Sequence, residues 1–416
     1  MSLTRPTPNR PEPYGTLTHP PRLGNAATIA PMLMPAADGV GEYFQLFGAE
    51  SGYNTEGDVL VNRTSEGTDL NQIFSEFVAT LNIFNQHRSA LTSLLSYPTT
   101  RQIDAVPQSV VGQQFERASE FGVPNGARMP NDLLKLAYDF EDYDIASRFT
   151  WKYLRDADAR QVEAVHASIL EAANRLMTTD ILRRLFDPAD SVSPEGNRIY
   201  GLYNGDGMFI PSYMGREFDP ATDTHYLTSG AANIDASDVE ALMRKVSLKG
   251  FGADSGRKLL VLVNPDEADE VARFRAGETQ PDSTVSSYDF IPSAAAPPRL
   301  THEQIVGEKA PAEWGGLPVL GSYGPAYVIS SAFMPRGYVA IVASAGPNAA
   351  GNPIGLRSHV NPAYQGLRII PGRDQRYPLI ESFYSLGFGT GTRHRGGAAV
   401  MQITTATTYT PPVFPK

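Results

Sequence analysis

Histidines, carboxylates and glycines are the residues from which this chain would have to build a reactive centre, and their spacing offers little. The seven histidines (His19, His87, His166, His225, His302, His359 and His394) are scattered, with no pair at metal-ligand separation. Asp223-Thr224-His225 is the nearest approach to a metal pair, in a polar stretch with no second histidine close by. Carboxylates cluster at Glu116/Glu120 and across Glu141–Asp144. General acid–base chemistry needs two of them to converge on one substrate, and charged faces in solvent explain the pattern without it. Gly387, Gly389 and Gly391 imitate a phosphate-cradling loop, but no strand–turn–helix pattern follows, so a turn between strands is expected. Arg393, His394 and Arg395 form a basic cluster that suits a phosphate or a neighbour's carboxylates, with a solvated turn as the simpler expectation. His166 falls beside an apolar helical stripe and is expected to be packed. No GxxxxGKS/T, HExxH or GxSxG motif and no EF-hand loop occurs. Catalytic, cofactor and metal residues are therefore left unassigned.

Composition narrows the classes further. The chain has no cysteine, which removes disulfides and thiolate ligands. A formal charge of −10 argues against a surface that binds nucleic acid tightly. No apolar run approaches the roughly 20 residues of a membrane span. The first residues are polar and proline-rich without a hydrophobic signal segment, so synthesis in the cytoplasm is expected, and the sequon at Asn62-Arg63-Thr64 is expected to stay unmodified. At 416 residues there is room for two or three domains.

The elements that must position these residues are organised around 141–188. Tyr143, Ile145, Phe149, Trp151 and Tyr153 share one parity, which predicts a half-buried strand. Asp158 with Gln161 then predicts a capped helix. Val162, Val165, Ile169, Ala173 and Leu176 recur at helical spacing, while Ile181, Leu182, Leu185 and Phe186 lie half a turn away. The helix is thus expected either to end near Thr178–Asp180 or to turn its second half toward another neighbour, with Pro188 closing the segment. Residues 1–68 show little periodicity, although Phe44, Phe47 and Tyr53 give them something to bury. Asp69 predicts a helix carrying Ile73, Phe77, Leu81, Leu91, Leu94 and Leu95 on one stripe, stopping before Tyr97. Ile103–Val106 and Val110–Phe121 read as strands, with Leu133–Tyr138 returning antiparallel after a tip at 122–132. Such a hairpin exceeds its own core and calls for a neighbour. Further on, Asp235 or Ser237 caps a helix, Lys258–Val263 is a buried strand, Glu267–Arg275 a helix and 277–312 a long loop. From Leu317 the chain is mostly strand.

In this order the chain resembles a major capsid protein of a tailed bacteriophage, with the HK97-type capsid fold, and is most similar to those of actinobacterial phages. The resemblance rests on FERASEFGVPNGAR (115–128), DYDIASRFTWKYLRDADARQVEAVHASILEAANRL (142–176), PVLGSYGPAYVISSAFMPRGYVAIVAS (318–344) and YPLIESFYSLGFGTGTRHRGGAAVMQI (377–403). It implies an α+β fold with an N-terminal arm and leading helix over 1–100, a peripheral-domain strand over 101–108 and an extended E-loop over 109–147. A peripheral domain with a spine helix would follow over 148–199, then an axial domain over 200–340 and a return to the peripheral domain over 341–416.

The function implied is assembly of pentamers and hexamers into an icosahedral shell around double-stranded DNA, in a virion built in the host cytoplasm. The partners implied are further copies of the chain, a separate scaffolding protein, a portal protein and a decoration protein, with neither a membrane nor sequence-specific DNA binding. Phe115, Phe121 and Trp151 are the candidate apolar anchors between subunits, and Glu116, Glu120 and Arg128 the candidate intersubunit charges. Lys135 falls in the E-loop, but no matching asparagine motif accompanies it, so no covalent cross-link is expected. An encapsulin-like nanocompartment shares the fold and is the nearest alternative; an α+β hydrolase using the 201–230 loops is a more distant one.

Overall fold

The computed structural model describes residues 63–86, 89–107, 117–118, 120, 122–123, 133–206, 223–252, 255–279, 285–294, 309–371 and 379–414. Helix α1 (Leu70–Gln86) buries Ile73, Phe77 and Leu81 along one face. The stripe expected to continue to Leu95 is divided: a second helix, α2 (Ala90–Leu95), starts afresh where the Ser89 side chain accepts from Thr92 N. Strand β1 (Ser96–Thr99) follows, then the antiparallel pair β2 (Ile103–Pro107) and β3 (Leu133–Ala137), in register from Ile103↔Ala137 to Pro107↔Leu133.

Strand β4 (Glu141–Thr150) has the ten residues expected but ends before Trp151 and Tyr153, which the alternation included. Thr150 accepts a hydrogen bond from Tyr153 N at 3.1 Å and so caps α3 (Trp151–Asp156), which removes Trp151 and Tyr153 from the strand. The expected capping box then opens α4: Asp158 Oδ1 accepts from Arg160 N at 3.2 Å, and Gln161 Oε1 accepts from Asp158 N at 3.3 Å. Helix α4 (Ala159–Phe186) is unbroken for 28 residues. No new cap forms at Asp180, because its carboxylate accepts from Thr390 Oγ1 at 2.8 Å and pairs with Arg183 at 3.2 Å.

The remainder alternates short ribbons with sheet strands. A ribbon of β5 (Ser191–Val192) and β6 (Arg198–Ile199) leads to β7 (Tyr226–Thr228). Asp235 caps α5 (Ala236–Leu248), β8 (Lys258–Val263) follows, and α6 (Pro265–Val271) starts earlier than expected because Asn264 caps it with Pro265 in its first turn. Within the stretch expected to be loop, β9 (Phe290–Pro292) joins a sheet edge. The ribbon of β10 (Glu313–Trp314) and β11 (Leu317–Pro318) precedes β12 (Gly321–Tyr323), β13 (Ala326–Ser330) and β14 (Tyr338–Ser344). Strands β15 (Ile354–Ser358), β16 (Leu367–Pro371), β17 (Leu379–Thr392) and β18 (Ala398–Gln402) complete the set.

Two sheets organise these strands. In the first, 14-residue β17 is the central member, pairing with β4 on one side and with β15 and β16 on the other, while β1 extends the sheet parallel to β15. The second sheet has the order β7-β18-β14-β8-β13-β12-β9. Strand β8 shows why it is buried on both faces: Leu260 and Leu262 belong to one core, and Leu259, Val261 and Val263 to another. The first core also contains Ile169, Ala173, Ile181, Leu182, Leu185 and Phe186 of α4 together with Leu356, Leu386 and Phe388 of the first sheet. Helix α4 is therefore apolar on two faces because one continuous core joins it to both sheets. The second core lies beneath α5 and α6.

Candidate assembly interface

The hairpin is locked at its root. Tyr138 is fully buried, donates to Asp104 Oδ2 at 2.6 Å and lies 2.6 Å, hydroxyl to hydroxyl, from Tyr97. Arg101 reaches Asp104 Oδ1 at 3.0 Å and Arg393 approaches Oδ2 at 3.6 Å. Burial opposes ionisation of Asp104, yet these hydrogen bonds and cations hold its carboxyl below the usual carboxylate range. Burial and the adjacent Tyr97 and Asp104 push the Tyr138 phenol up.

From this root, residues 137–140 cross directly over β17. A Cβ at Gly389 would stand 2.0 Å from Asp139 O, one at Gly391 2.6 Å from Ala137 O, and one at Gly387 2.5 Å from Asp142 Oδ1. The three glycines are therefore a track inside a strand that admits a second backbone, and the turn expected there does not exist.

Beyond the root, the described residues 117–118, 120 and 122–123 are all exposed, Val123 at 93%. Glu120 is among them, while Phe115, Glu116, Phe121 and Arg128 lie outside the described residues. Trp151 is 7% exposed, inside its own subunit. Only part of the second face of the first sheet is open: Phe383 and Ile370, paired in register, are 37% and 45% exposed on the side opposite the core residues Tyr384 and Leu386, while residues 137–140 cover the same face farther along β17.

The basic cluster is structural, and the solvated turn expected for it is overturned. Arg395 is 1% exposed, donates from Nε to Gly201 O at 3.1 Å, pairs with Asp206 and stacks 4.7 Å over the Tyr200 ring. Arg393 turns the other way, to Asp104 and over Tyr97. His394 packs on Phe251, and burial with the nearby Arg257 charge pushes it down to about 4. These three residues join the last strand of the first sheet to β18, so they fasten the sheets together. Sequence showed the charges but not their partners, which lie about 190 to 290 residues away in the chain.

The remaining candidates are also absorbed into packing. Asp223 is held by Lys245 at 3.1 Å and by Lys249, and His225 beside it is fully buried. His166 stacks on Phe77 with ring centroids 4.0 Å apart, and its Nδ1 lies 3.2 Å from the Tyr384 hydroxyl. Burial lowers its pKa. Among the described residues, no three histidine or carboxylate side chains converge as a metal site, and no helix is long and apolar enough to cross a membrane.

Neither a protein-family model nor a curated protein matches the chain. Solved structures do. One from Mycobacterium phage Patience is 39% identical with a TM-score of 0.66, over 85% of this chain and 93% of that one. The capsid of an empty GTA particle is 13% identical with a TM-score of 0.43, over 76% of this chain and 91% of that one. The SrpI encapsulin of Synechococcus elongatus is 13% identical with a TM-score of 0.42, over 81% and 98%. The match at 39% identity over most of both chains, on a fold whose long helix is shared by two sheets, places the chain in the family of HK97-type major capsid proteins of tailed, actinobacterial bacteriophages.

Proposed function

We propose that this capsid protein acts by assembly alone, closing into pentamers and hexamers of an icosahedral shell that confines double-stranded DNA. The observation that carries this reading is the hairpin, locked at the Tyr97–Tyr138–Asp104 root and exposed at the described residues 117–118, 120 and 122–123 beyond its paired strands. A monomer gains nothing from a firmly held loop that is exposed at these residues; a shell does, because each such loop can lie on a neighbour. The first sheet with α4 then serves as the peripheral domain, the second sheet as the axial domain and the hairpin as the E-loop. Phe115, Phe121, Glu116, Glu120 and Arg128 remain the contacts assigned to that loop. Trp151, buried in its own subunit, acts on contacts only through packing. A net charge of −10 suits confinement of DNA rather than tight binding. A separate scaffolding protein, a portal and a decoration protein complete the proposed partners, and no catalytic step is assigned.

Cryo-electron microscopy of the full chain, alone and co-expressed with its scaffold, tests this directly. Closed shells with fivefold and sixfold capsomers are expected. A monodisperse monomer under both conditions would overturn the reading.

A further inference from the structure

The second sheet carries two surface features at opposite ends of β13. Before its first residue, Pro325 helps to line a groove of about 680 Å³ that runs along the outer side of α5. Leu248 and Tyr288 line this groove and remain 46% and 43% exposed. Its charged residues are Arg244, Lys245 and Lys249 against Asp223 and Glu240, so cations are in excess. Both lysines are committed to Asp223, whereas Arg244 is exposed and forms no direct ion pair among the described residues, although against burial its charge helps to hold the Glu240 carboxyl below its usual range.

After the last residue of β13 comes a turn over 331–337 that presents Phe333 at 44% exposure. The turn is tied to the start of α6. Ser331 N donates to Val263 O at 3.0 Å, Asn264 Nδ2 to Met334 O at 2.7 Å and Gly337 N to Glu267 Oε1 at 2.7 Å, while Arg336 pairs with Asp266. The turn thus abuts an acidic helix: α6 carries Asp266, Glu267, Asp269 and Glu270, with Arg273 and Arg336 as the paired cations. Asp269 is exposed and makes no ion pair among the described residues.

An apolar knob beside an acidic helix and an apolar groove with one cation in excess are complementary. They are separated by the length of a five-residue strand, about 17 Å, so one molecule cannot satisfy both within itself. Because the two patches differ, a contact between them is heterologous, and repetition of a heterologous contact closes a ring when its rotation allows. We propose that Phe333, with the acidic helix α6 beside it, enters the α5 groove of a second copy, making the head-to-tail contact that repeats around each capsomer. This rests on the shell reading above and adds the residues by which ring neighbours recognise each other.

The absence of native cysteine allows a clean test in the full chain. Shells carrying Leu248→Cys together with Phe333→Cys are oxidised and run on a non-reducing gel. The expected result is a ladder ending at five and six subunits, while each single variant stays monomeric. In parallel, Arg244→Glu and Asp269→Arg should each lower shell yield by roughly tenfold or more, and the two together should restore it to within about twofold, since like charges repel and the swapped pair attracts. Wild-type shells with no ladder and no rescue would overturn the contact but leave the shell reading standing. Capture of a different protein by the Leu248→Cys variant would overturn it too. Failure of the wild-type chain to form shells would remove the underlying reading itself.

Discussion

His225 carries the clearest pH signature of any single residue. It is fully buried, and that burial, reinforced by the Lys245 charge, pushes its pKa down to about 3. In the unfolded chain the imidazole takes a proton near its ordinary value of 6.5. The unfolded state therefore binds more protons over the whole interval, and stability rises with pH across it. The contribution is complete above pH 6.5 and is lost progressively as pH falls toward 3. Chemical denaturation between pH 7 and 4 should show the wild-type chain losing stability on the order of a few kcal/mol, and His225→Phe should flatten that slope. Little of this was legible in the sequence, where Asp223 and His225 were set aside as a metal pair for want of a second histidine and the two lysines that hold Asp223 gave no sign. The glycines of β17 were legible only as a spacing. Their purpose depends on a backbone about 250 residues earlier, which periodicity does not sense.

Elements were more readable where a local signal sufficed. The Asp158–Gln161 box announced α4 and the change of apolar face along it announced two neighbours. A hairpin returning at Leu133 was also announced, but the structure corrects its partner: β3 pairs with β2 rather than with the strand expected at 110–121, whose described residues 117, 118 and 120 are not in a strand. The missed helix starts share one origin. Thr150 and Ser89 are caps hidden inside continuing apolar patterns, so helix starts were overlooked at both. Strand β15 carries Gly355 and Arg357 and lacks strong strand propensity; its place between β1 and β17 makes it a strand. The hairpin depends similarly on tertiary support. Tyr138→Phe should leave the Tyr97 hydroxyl and the Asp104 carboxylate each short of a partner, at a cost of about 1–3 kcal/mol. Hydrogen exchange should then quicken at 103–107 and 133–137 more than in β8. Equal change in both would show that the root is not a local anchor.

At the scale of the whole subunit, one core contains residues of both sheets and of α4, and Arg393, His394 and Arg395 fasten the sheets at a second place. Neither sheet should therefore melt by itself. Calorimetry of the unassembled subunit should give a single transition whose van't Hoff and calorimetric enthalpies agree; two resolved peaks would contradict a shared core. The same strand order has a consequence in time. Strand β17 is the central member of the first sheet and β18 lies between β7 and β14 in the second, yet both come from residues 379–402. During synthesis α4 emerges with its two apolar faces and must wait more than 190 residues for the strands that cover them. Folding is thus held back until both sheets can close together. A ribosome still making the chain exposes no finished edge on which a neighbouring copy could begin a shell.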